Sequence, residues 1–139
     1  MMEDNPVRAK LLNGEVCVGT MVFEFFTPGL SRVLAAAGAE YVIFDTEHSG
    51  CGIETVKRQI SYARGVGIIP MVRVAGCAYH LVAPVLDAGA MGIMVPLVVR
   101  LRSRRVSLHR GVVIGQKAKE ALPSVSHTMT MLVGISSKS

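Results

Sequence analysis

Four short apolar runs, each separated from the next by a stretch with helical spacing, constrain this chain more than any other feature of its sequence. "VCVGTMVFEFF" is rich in β-branched and aromatic residues and leads into "TPGLSRVLAAAGAE". There Thr27 is a suitable N-cap, Pro28 suits the first helical position and Gly38 suits the stop. "YVIFD" follows, a continuous apolar run of the kind found in a parallel strand covered on both faces. Ile53, Val56, Ile60 and Ala63 then recur at helical spacing, with Lys57, Arg58 and Arg64 for the wet face and Gly65 as the stop. "GIIPMVRV" reads as a third strand and "MGIMVPLV" as a fourth. Between them "YHLVAPVLDAGA" reads as a third helix, either kinked by Pro84 or starting late because of it. Alternation at this spacing predicts a parallel α/β sheet, open or barrel-like.

The polar stretch "DTEHSG", residues 45–50, falls just past the carboxyl end of the second predicted strand. In parallel α/β folds the loops at that end of the sheet converge, and sites are built there. Arg73, near the end of the third strand, points to the same end. An acid, a histidine and a guanidinium form a workable set for moving a proton beside a carboxylate-bearing substrate. Asp45 would orient His48 and stabilise its charge, while Arg73 would clamp the anion. The same residues would equally form a capping turn, with Asp45 or Ser49 bonding loop amides. Spacing alone does not choose between the two.

Composition narrows the class. Half of the residues are hydrophobic, mean hydropathy is +0.44 and only 18% are charged, which suits segments covered on both faces. The longest apolar reach, Cys77 to Val99, carries His80 and Asp87 and is broken by Pro84 and Pro96, so it makes no membrane span. The opening "MMEDNPVRAK" has no apolar core of a signal peptide, so a soluble cytoplasmic protein is the expectation. Three cysteines without a C-x-x-C spacing give neither a disulfide framework nor a zinc site and read as buried thiols. Charge is uneven: residues 1–98 hold 7 Lys/Arg against 9 Asp/Glu, a net of −2, and residues 99–139 hold 8 against 1, a net of +7. The composition therefore breaks near Val99.

The stretch from Asn5 through "FDTEHSG", then "PMVRV", then "VLDAGAMGIMVPLV" resembles the amino-terminal part of the HpcH/HpaI aldolase/citrate lyase family, the metal-dependent pyruvate aldolases. The resemblance runs to about Val98. It implies a (β/α)8 TIM barrel, of which this chain carries roughly the first half, about four β/α units, in a partial domain over residues 1–98. It implies a carbon–carbon lyase that cleaves a 4-hydroxy-2-oxo acid to pyruvate and an aldehyde, acting as a homo-oligomer. His48 and Asp45 match the catalytic dyad and Arg73 the arginine that binds the pyruvate end. Asp87 matches a carboxylate serving the site near a subunit boundary, and Glu47 belongs to the motif on the substrate side. The family's divalent metal, Mg2+ or Mn2+, is expected to find no ligands in this chain, since Glu120 is the sole acid after Asp87.

Residues 99–139 read as an irregular basic tail with no clear apolar period and a small, polar ending. It has no aromatic residue to stack on bases and no recognisable module, which argues against specific nucleic-acid binding. Its codons allow another reading. "ALPSVSHTMTMLVGISSK" re-reads in a neighbouring frame as "AAFGVAYDDYVGGDIIEK", and "VRLRSRR" re-reads in that same frame as "SASEQAR". A frameshift near codons 98–99 is the hypothesis, leaving a chain of weak or no activity. The alternative is a non-enzymatic fragment or interaction protein whose basic tail contacts nucleic acid or a membrane. Elsewhere, His80 reads as a helix-surface or half-buried histidine rather than a ligand, and the eight methionines as core filling. "AAAGAE" and "DAGAMG" read as helix stops, because neither has dinucleotide-loop spacing.

Overall fold

The strands alternate with helices as the apolar runs predict. A computed structural model describes residues 5–100, 107–114 and 132–133. Its elements are α1 (Pro6–Leu12), β1 (Gly19–Val22), α2 (Leu30–Ala36), β2 (Tyr41–Asp45), α3 (Ile53–Gly65), β3 (Ile69–Arg73), α4 (Tyr79–Asp87), β4 (Gly92–Arg100), β5 (Ser107–Ile114) and β6 (Leu132–Val133). The sheet order is β1-β2-β3-β4-β5-β6, with β1 to β4 parallel and β5 and β6 antiparallel to their neighbours. Four parallel strands joined through helices match the expected β/α units.

Local chemistry explains where the elements begin and stop. Asn5 caps α1 by accepting from the Arg8 amide at 3.0 Å, and Pro6 fills the first helical position. This helix has no counterpart in the sequence reading, because seven residues are too few to show a period. The first strand is shorter than "VCVGTMVFEFF" suggests. Phe25 takes φ 61, a left-handed conformation uncommon outside glycine, and the chain turns out of the sheet there. Helix α2 starts after Gly29 rather than at Pro28, because the Leu30 amide first closes a turn on the Thr27 carbonyl. In α4, Pro84 lies inside the helix and does not delay its start.

Side chains alternate along the strands and divide the core in two. Val22, Val42, Phe44, Val72, Ile93 and Val95 face α2, α3 and α4 and are buried. Ile43, Ile69 and Met71 face the other way, where Val7 and Leu11 of α1 pack on them. Asn5 donates through Nδ2 to the Met91 carbonyl at 3.1 Å, just before β4 begins. Helix α1 is thereby fixed at the amino ends of the strands. The carboxyl ends of the same face carry Asp45 and Arg73.

The fourth strand runs through the charge break at Val99 and on to Arg100. Its pairing with β5 shifts register between Val95 and Val98, where Pro96 lacks an amide to donate. The sequence reading assigned residues 99–139 no regular element, yet residues 107–114 lie along β4 as a strand. Antiparallel pairing is made by backbone groups, which are present whatever the side-chain period. Apart from Val99 and Arg100 at the end of β4 and from β6, the rest of that region lies outside the described residues.

Candidate active site

Cross-strand register builds the centre of the site. Asp45 and Arg73 are partners on neighbouring parallel strands and share one face of the sheet. Asp45 is fully buried. Arg73 donates from Nε to Asp45 Oδ1 at 2.6 Å, and its Nε also lies 3.3 Å from Glu47 Oε2. Burial alone would raise the Asp45 carboxyl, but the hydrogen bonds from Arg73 and the Glu47 and His48 amides, with the Arg73 charge, hold it at about 2. The same hydrogen bond favours the charged form of Arg73.

The stretch after β2 is both a turn and a cluster. Asp45 Oδ1 accepts from the Glu47 amide at 3.0 Å and Oδ2 from the His48 amide at 2.9 Å. Ser49 donates its hydroxyl to the Asp45 carbonyl and accepts from the Cys51 amide at 3.3 Å. Thr46 ties the turn to β3, donating from both its amide and its hydroxyl to the Arg73 carbonyl. The capping reading and the site reading therefore describe the same residues.

Sequence reasoning paired Asp45 with the imidazole of His48, and the geometry divides that role differently. Asp45 meets His48 through its backbone amide, while the carboxylate beside the ring is Glu47, with Oε2 3.6 Å from Nε2. The His48 side chain is 65% exposed, so the ring is open to a ligand. Asp87 ends α4, which leads back to the amino end of β4. It is exposed at the opposite end of the sheet from Arg73, so within one chain it does not join the cluster. His80 is exposed on α4, in line with a surface role. Cys17 and Cys51 are half-buried, and burial pushes both thiols up, whereas Cys77 is exposed rather than buried.

Two features escaped the sequence reading. Phe23, directly after β1, places its ring centroid 5.2 Å from the guanidinium carbon of Arg73. Strand alternation puts Phe23 on the same face as Met21, which was a usable signal. The second is an orphan: Arg73 Nη2 is buried with no hydrogen-bond partner. A buried donor without a partner is uncommon and suits an anion's oxygen.

The described residues do not offer the divalent metal implied by the resemblance a ligand set. No group of three or more His, Cys, Asp or Glu able to hold an ion occurs among the described residues. Asp45, the most buried carboxylate, already has both oxygens engaged. No helix among the described residues is long and apolar enough to cross a membrane.

Residues 21–138 match the family model described as HpcH/HpaI aldolase/citrate lyase. Over 94 residues the chain is 31% identical to a hydroxypyruvate/pyruvate aldolase of Roseovarius nubinhibens, covering 68% of this chain and 36% of that protein. It is 27% identical over 94 residues to a 2-keto-3-deoxy-L-rhamnonate aldolase of Escherichia coli, covering 68% and 35%. The crystal structure of an HpcH/HpaI aldolase from Desulfitobacterium hafniense superposes with a TM-score of 0.63 at 34% identity, over 66% of this chain and 36% of that one. The chain thus spans about a third of the length of the relatives it matches.

Proposed function

The chain belongs to the HpcH/HpaI aldolase/citrate lyase family, and from that premise we propose that it serves aldol cleavage of a 4-hydroxy-2-oxo acid to pyruvate and an aldehyde. One observation carries this reading: a guanidinium with an orphaned buried donor and an exposed histidine flank the same Glu47 carboxylate oxygen, at 3.3 and 3.6 Å, at the carboxyl end of a parallel sheet. Arg73 holds the substrate carboxylate through its Nη side. His48 takes the proton of the C4 hydroxyl, and the C3–C4 bond breaks. C4 departs as the aldehyde, and the electron pair stays on the pyruvate fragment as an enolate. The imidazolium then returns a proton to C3. Glu47 faces the charge that the ring carries between those steps. Asp45 acts as a positioning residue, since it holds Arg73 and the turn that bears His48.

The test uses the whole chain with a 4-hydroxy-2-oxo acid, reading pyruvate through lactate dehydrogenase and NADH, with and without added Mg2+ or Mn2+. Pyruvate release from the wild type, abolished in His48→Ala and Arg73→Ala, supports the reading. No release under any of these conditions overturns it for this chain.

A second reading rests on the free edge of the sheet. Strand β1 ends the strand order, and Val16, Val18 and Phe25 are 83%, 62% and 79% exposed. An interaction protein or self-associating fragment would present such a surface. It predicts concentration-dependent oligomers and no turnover, whereas a homo-oligomeric enzyme gives both assembly and turnover.

A further inference from the structure

Phe23 lies against the Arg73 guanidinium, and the proposed reaction does not use it. Phe23 is 45% exposed as a residue, while the Arg73 side chain is 15% exposed. At 5.2 Å the ring lies within the range where an aromatic face attracts a cation. Asp45 and Glu47 hold the Nε edge of the same guanidinium, at 2.6 and 3.3 Å. One edge and one face are therefore occupied. The buried Nη2 is left without a partner.

The chain turns tightly two residues past Phe23. Phe25 sits at φ 61, and the Thr27 amide donates to its carbonyl at 2.7 Å. A non-glycine residue in that region is strained, and such strain is found at ligand clamps. Strand β1 ends at Val22, immediately before Phe23. The ring thereby stays at the carboxyl end of the sheet, against Arg73.

We propose that Phe23 is a positioning residue for the anion clamp: it fixes the plane of the Arg73 guanidinium and shields one face from water, so that a ligand carboxylate is met edge-on from the Nη side. The ring is apolar and uncharged, so it makes no hydrogen bond with the carboxylate and acts through Arg73. This inference rests on Arg73 binding an oxo-acid carboxylate, and its test separates the two.

Sodium pyruvate is titrated by calorimetry into the whole chain as wild type, Phe23→Leu, Phe23→Tyr and Arg73→Lys. Phe23→Leu is expected to weaken binding about threefold to tenfold, the range of a partly exposed cation–π contact. Phe23→Tyr should rescue it to within about twofold, since the aromatic face is kept. The proton resonance of Arg73 Nε–H should be displaced by the ring current in the wild type and in Phe23→Tyr and should relax in Phe23→Leu. Wild-type-like binding in Phe23→Leu, with loss in Arg73→Lys, overturns the role of Phe23 and leaves the clamp standing. A wild-type resonance without ring-current displacement also overturns it, and needs no variant to fold. No pyruvate binding by the wild type, or none lost in Arg73→Lys, overturns the clamp and this inference with it.

Discussion

Arg73 donates from Nε to Asp45 Oδ1 at 2.6 Å across a register pair of adjacent parallel strands, in a place where Asp45 is fully buried. The bond links the last residue of β2 to the last residue of β3, so it fixes the carboxyl end of the sheet where the turn begins. Three donors converge on one carboxylate, which makes Asp45 the joint between the sheet and the turn that carries Glu47 and His48.

Acid should weaken the fold through Asp45. Its carboxyl is held at about 2, below the ordinary 3.8. A lowered carboxyl contributes stability that is present above the ordinary value and lost as pH falls through the folded one. The contribution is about 2 kcal/mol, complete above about pH 4 and draining away between there and pH 2. Urea unfolding from pH 7 to pH 2 should show this loss in the wild type, and Asp45→Asn should flatten it. Equal acid slopes in the two proteins would contradict the assignment.

Removing the cation should do more damage than removing the exposed ring. Arg73→Ala leaves a buried carboxylate without its partner, a change that costs about 3–5 kcal/mol. Arg73→Lys should recover part of it, because charge returns without the planar fork. Thermal melts at pH 7 order the three proteins. Arg73→Ala melting with the wild type would show that the pair is not closed in solution.

His48→Ala should separate chemistry from stability. Its side chain is 65% exposed, so truncation should change stability by no more than about 0.5 kcal/mol. Loss of a positioned acid–base group should lower pyruvate release by about 10²- to 10⁴-fold. A variant that melts like the wild type and releases no pyruvate fits the proposed role. One that turns over unchanged removes His48 from the reaction.

The fold was legible because each strand carries its own signal. "YVIFD" is β2 to the residue, and "GIIPMVRV" and "MGIMVPLV" contain β3 and the start of β4. Asp45, His48 and Arg73 were legible as a group because strand ends bring them together. What was not legible depended on distances. Two carboxylates two residues apart look interchangeable in a sequence, and only backbone geometry assigns Asp45 to Arg73 and Glu47 to the imidazole. Asp87 shows the reverse problem, since a motif residue can sit at the opposite end of the sheet in its own chain.

Glycine substitutions should test the packing of β1 on β2. Gly19 pairs with Tyr41, and a Cβ there would lie 2.5 Å from the Tyr41 carbonyl oxygen and 2.6 Å from its ring. Backbone cannot give way as a flexible side chain can, so Gly19→Ala should cost about 1–3 kcal/mol. Gly29, at φ −82 with nothing within 4 Å, is the control. Gly29→Ala should be neutral or stabilising by up to about 1 kcal/mol. Equal melting of the two variants would contradict the close approach of β1 to Tyr41 at Gly19.

The coding DNA tests whether the sequence after Val98 is read in the family's frame. Charge changes from a net of −2 over residues 1–98 to +7 over residues 99–139, and the break falls inside β4 rather than at a loop. A boundary between two folded units would be expected in a linker, not within a strand. "VRLRSRR" and "ALPSVSHTMTMLVGISSK" both admit family-like readings in one common neighbouring frame. Codon degeneracy makes either match easy to obtain alone, but Met129 has a unique codon and with Thr130 forces an aspartate in that frame. We propose that sequencing from codon 90 onward will show the neighbouring frame continuing into further strands with acidic residues at their carboxyl ends. In that case the pairing of residues 107–114 on β4 is backbone-driven and its side chains were never selected for it. If the neighbouring frames show no such continuation, β5 is a selected strand. The basic residues after Val99 would then merit a direct test, in which an arginine-to-glutamine series from Arg100 to Arg110 is assayed for loss of oligomer or of pyruvate release.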